Sequence, residues 1–188
     1  RQGYRLRARP DPRRDDDQQA AALSSTQLAA LTTANLAAIS TADIKNLGAG
    51  ALAGMSADQM GSLTSGQVAA MGLAQIAAIK ADQFAGLSTA AVAALSSNQV
   101  AVLSATQAAA MTTAQLAAIE TADIKSLSTA ALHALTADQV AAMSSGQFAA
   151  MTTAQAAALS ADQLAAVGTA DLNALGATQF ATFGSAQV

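Results

Sequence analysis

The sequence predicts an all-α solenoid: a superhelix of short capped helices, one per eight-residue repeat. Three observations carry this. From Leu23 to Thr182 the chain is twenty octapeptides in tandem, followed by a truncated twenty-first from Phe183 to Val188. In each octad, as in Leu159-Ser-Ala-Asp-Gln-Leu-Ala-Ala166, positions 2 and 5 have the Ser/Thr-x-x-Gln spacing of a helix capping box. Positions 7 and 8 are mostly Ala, the strongest helix former. A period this short and strict is one small unit used repeatedly, so function is expected in the shape and surface of the array.

In chain order, the first element is residues 1–22, which lack the repeat. Six Arg stand there against four Asp, and Pro10, Pro12 and Arg13-Arg14-Asp15-Asp16-Asp17 mark a linker or the end of a preceding domain. The three consecutive Asp lack the spaced oxygen ligands and glycine of a calcium loop. The neighbouring acids offset the Arg cluster as an anion site.

The array, residues 23–188, follows. Position 2 is Ser or Thr in 14 of 21 octads and Gly in five, with Lys80 and Glu120 the exceptions, and position 5 is Gln, Asp or Asn in 18. A hydroxyl at the N-cap accepts from the backbone N–H three residues on, and the Gln there reaches back to the N-cap N–H. Ser24 with Gln27, Thr64 with Gln67, Ser96 with Gln99, Thr136 with Gln139 and Ser160 with Gln163 are the expected caps. Positions 1 and 6, apolar throughout, then fall where side chains close a hydrophobic staple, as Leu23 with Leu28 or Met143 with Phe148. All six Met take these two positions and serve as core filler.

One continuous helix is the wrong account, because identical positions would drift by roughly 80° per octad and no partner could follow the apolar stripe. A β-solenoid would want β-branched and aromatic residues where this chain has Ala. Because each octad is too small to fold alone, stability should come from stacking on neighbouring octads.

A longer period lies inside the short one. Ile39-Ser-Thr-Ala-Asp-Ile-Lys45 is nearly repeated as Ile119-Glu-Thr-Ala-Asp-Ile-Lys125, so residues 23–102 align with 103–182 as two 80-residue super-repeats. A fainter 40-residue phase accompanies them. Duplication explains both; the alternative is that five octads bring the solenoid back to an equivalent face.

Composition bounds function. The array carries three Lys against eight acidic residues, which argues against a nucleic-acid groove. Polar residues interrupt every apolar run, so no transmembrane segment is expected. No catalytic, cofactor-binding or metal constellation is legible: His133 is the single histidine, there is no Cys, and Gly48-Ala-Gly50 lacks the Lys of a phosphate loop. Neither an enzyme nor a cofactor is expected. Asp43 with Lys45 and Asp123 with Lys125 form either a solvated polar face or a recurring docking patch.

At the octad Leu-Ser/Thr-x-x-Gln-apolar-Ala-Ala, residues 23–188 resemble the Ala/Gln/Thr-rich octapeptide arrays of very large bacterial secreted and cell-surface proteins of the adhesin type. The resemblance implies an exported, extended segment between more specialised domains, and no functional residue carries over from it. The six-residue last octad fits a fragment whose targeting signals lie elsewhere. The leading expectation is a stalk, spacer or filament-forming segment. The alternative is a scaffold binding a protein partner, a surface protein or another copy of itself, and a third reading is ice or polysaccharide recognition by the Ser/Thr rows.

Overall fold

The computed structural model describes residues 20–185 and 187. The Arg cluster, Pro10, Pro12 and Asp15 to Asp17 lie outside the described residues. Among those described there are twenty short helices and no strand, one helix per octad from Ser25–Ala29 to Ala177–Phe180. The chain is an all-α solenoid. Among the described residues, no helix is long and apolar enough to cross a membrane.

Each helix starts at position 3, one residue after an extended N-cap such as Ser160 (φ −77°, ψ 163°). It stops because position 1 of the next octad is also extended, as at Met71 (φ −63°, ψ 142°) and Ile79 (φ −63°, ψ 128°). Among the described residues none has positive φ, so the chain turns at every octad without a left-handed glycine. Two consecutive extended residues, one apolar and one a capping residue, do the work a glycine C-cap does in longer helices.

Positions 1 and 6 fill one continuous core. The position-6 side chains Leu28, Ile76, Phe84, Leu116 and Phe148 are fully buried, and position 1 is buried through the middle of the array, as at Leu63, Leu95 and Leu127. Ala20, eight residues before Leu28, is helical and buried in the same core.

The packing partner of an octad is the third octad along the chain, not only its sequence neighbours. Side-chain bonds between coils span 25 to 31 residues, from His133 with Ala158 to Gln67 with Leu36. One turn of the superhelix therefore takes between three and four octads. This corrects two expectations. Stability is not confined to adjacent octads, and five octads make more than one turn but fewer than two, so the 40-residue phase does not return the chain to an equivalent face.

Coils approach where side chains are small. A Cβ on Gly54, at position 8, would overlap the carbonyl of Ser25, at position 3 three octads earlier, and one on Gly86 would overlap that of Ala57. A Cβ on Gly61 would lie 2.7 Å from the carbonyl oxygen of Gly86. The Ala-rich positions 7 and 8 thus serve two ends: they favour helix, and they let the next coil settle backbone to backbone.

Octad 13 departs from the rest. Its segment Thr121–Ser126 is a 3₁₀ helix, while its near twin Thr41–Asn46 is α-helical. Ser40 caps the twin by accepting from the Asp43 N–H at 3.1 Å, whereas Glu120 makes no cap. Lys80 also lacks a hydroxyl, yet its octad stays α-helical because the Lys80 N–H donates to Gln83 Oε1 at 2.9 Å. Octad 13 has neither half of the box, and the Asp123 N–H donates to the Glu120 carbonyl at 2.8 Å.

Candidate functional site

The feature repeated in every turn is the glutamine at position 5. Its Oε1 completes the cap at the start of its own helix. The Ser24, Thr64, Ser96, Thr136 and Ser160 N–H groups donate to Oε1 of Gln27, Gln67, Gln99, Gln139 and Gln163 at 2.6 to 2.8 Å. Their hydroxyls accept from the same five glutamine N–H groups at 3.1 to 3.4 Å.

The amide nitrogen of the same side chain works in the other direction. Gln67 Nε2 donates to the Leu36 carbonyl at 2.8 Å and to the Ile39 carbonyl at 2.7 Å, 31 and 28 residues back. Gln75 does so to Ile44 and Leu47, Gln83 to Leu52 and Met55, Gln107 to Ile76 and Ile79, and Gln155 to Ile124 and Leu127. The acceptors are always position 6 of one octad and position 1 of the next, the two residues that flank a helix break. The extended position-1 residue leaves its carbonyl outside any helical ladder, and such a buried group costs roughly 1–3 kcal/mol if unpaired. The glutamine from the following coil satisfies it, so one side chain caps its own helix and ties two coils together.

A capping box alone would accept Glu as readily as Gln. A carboxylate, however, has no N–H to offer the carbonyls, and this need for donors went unread in the sequence. The signal was there: Glu occurs once in the chain, at Glu120, and never at position 5.

Asp at position 5 ties coils differently. Asp123 is buried and accepts from Ser97 Oγ, and Asp171 accepts from Ser145 Oγ at 2.5 Å, each 26 residues away. Asp43 accepts from Ser40 Oγ at 2.6 Å. The expected patch of Asp43, Lys45, Asp123 and Lys125 is therefore corrected: Lys45 and Lys125 are exposed, but Asp123 faces the neighbouring coil. His133 is exposed and its Nδ1 lies 2.9 Å from the Ala158 carbonyl, while Lys80 Nζ donates to the Ala53 carbonyl at 2.8 Å. Both side chains join one coil to another.

The two faces that cross the superhelix axis differ from the interior. Gln27 and Asn35 are exposed, although Gln67 is only 2% exposed. At the other face, octads 18–21 surround an apolar cavity of about 490 Å³ lined by Leu164, Leu172, Phe180 and Phe183. Phe180 is 42% exposed and meets Phe183 edge-on, with ring centroids 5.6 Å apart.

A family model described as the ALTTAQ repeat matches residues 36–73, 74–113 and 116–153, together more than half of the chain. No curated protein and no solved structure matches it.

Proposed function

The chain belongs to the ALTTAQ repeat family, and from this premise we propose that it is a structural repeat segment, a stalk or spacer, in a bacterial secreted or cell-surface protein of the adhesin type. The role is mechanical and not enzymatic. The observation that carries the reading is the glutamine clamp. The polar side chains most often repeated are committed to joining coil to coil, and every clamp uses the same two acceptor positions. A rod built this way sets a distance in proportion to its number of octads.

Deletion tests this. Removing the whole octad Met151 to Ala158 leaves every later glutamine with position-6 and position-1 carbonyls 31 and 28 residues back. The variant folds, melts slightly lower and gives a proportionately shorter particle in small-angle scattering. Removing only Met151 to Ala154 sets later glutamines against the wrong residues and shifts the apolar positions; this variant is far less stable, although it loses less chain. Equal damage from the two deletions would remove the basis for a spacer.

A further inference from the structure

We propose that this chain associates head to tail with a second copy of itself, the first octads of one copy docking on octads 18–21 of the other as the next coil of the superhelix. The proposal rests on the structural reading above and names its partner. The established interface is the one between successive coils within the array, and the two end faces carry its separated halves.

On one face, Gln27 and Asn35 are exposed at position 5, where Gln83 and Gln115 are buried with both carbonyls in reach. The Gln27 Oε1 completes the Ser24 cap, and its amide N–H groups have no acceptor among the described residues. On the other face, no glutamine among the described residues reaches the carbonyls of Leu164 and Val167, the position-6 and position-1 pair that a further coil would clamp. Apolar surface follows the same logic. Phe84 and Phe148 at position 6 are fully buried, while Phe180, also at position 6, is exposed beside the Leu172 and Phe183 cavity.

Donors therefore face one way along the superhelix, and acceptors with an apolar hollow face the other. Two identical faces could not satisfy each other: donor would meet donor, or hollow would meet hollow. Joining unlike faces is a heterologous contact, which does not close on itself and grows into a filament.

Two variants separate the faces. Gln27→Glu keeps an oxygen for the Ser24 N–H but removes the donors and sets a negative charge against the incoming carbonyls. Phe180→Asp places a charge in the apolar hollow of an already exposed position. Circular dichroism verifies that each retains its helix. In sedimentation velocity over a rising concentration series, the full chain forms species that grow past a dimer. Each variant alone weakens association on the order of tenfold or more. Mixed, they form a one-to-one dimer and stop there, since only one productive pair of faces remains. A wild-type chain that stays monomeric throughout overturns the proposal. So does association that ends at a dimer and is lost in Phe180→Asp but kept in Gln27→Glu, because hollow would then be meeting hollow. Either result leaves the deletion test of the spacer intact.

Discussion

Gly86 lies so close to the carbonyl of Ala57, 29 residues earlier, that a Cβ would overlap it. In the second super-repeat the residues 80 positions on are Ala166 and Ala137, so the first half has a closer contact at this place than its copy has. Replacing a helical glycine by alanine ordinarily stabilises by roughly 0.5–1 kcal/mol. Gly86→Ala should reverse that sign and lower the melting temperature, because backbone must give way. Gly50→Ala, where a Cβ meets nothing within 4 Å, should show the ordinary gain.

The caps give a second test. Ser160→Ala removes the acceptor for the Gln163 N–H and should cost about 1 kcal/mol. Thr153→Ala, at the first helical residue of its octad, removes no cap and should cost much less. Equal losses in thermal melts would mean that the octad has been phased wrongly.

Gln155→Glu isolates the clamp from the cap. An oxygen remains for the Thr152 N–H, now 2.8 Å from Oε1, but the Ile124 and Leu127 carbonyls face a carboxylate in place of two donors. The expected loss is at least about 2 kcal/mol, measured by urea unfolding. Burial favours the neutral acid, so the folded-state pKa of this glutamate rises. Stability is therefore best below its unfolded value and falls as pH increases. The same exchange at exposed Gln27 should cost the monomer little.

Glu120→Ser should restore one half of a capping box in octad 13. The expected result is a gain of about 1 kcal/mol and slower amide exchange at Ile124 as the 3₁₀ segment becomes α-helical. No gain would mean that Asp123, held by Ser97, sets the local conformation.

The caps and the core were legible in the sequence because their geometry is local. Ser160 and Gln163 are three residues apart, and positions 1 and 6 show their apolar character in every octad. The clamps were not, since Gln163 and the carbonyls of Leu132 and Leu135 meet only after a full coil is laid down. Nor was the number of octads per turn, which depends on how closely position 8 approaches position 3 of an earlier coil, a matter of atoms such as those of Gly54 and Ser25. The burial of Asp123 was hidden for the same reason: its partner Ser97 lies 26 residues away.

The reach of the clamp also sets how such an array comes into being. Gln59, bonded to Leu28 and Leu31, cannot close its loop until more than three octads of chain have been organised, and that first closure carries the entropy of a long loop. Every later octad finds a coil already in place and needs only eight more residues to close its own bond. Folding should have one slow ring closure followed by rapid zipping. Fragments of three octads should stay unfolded however favourable their composition, and nucleation should begin wherever four consecutive octads first come into register.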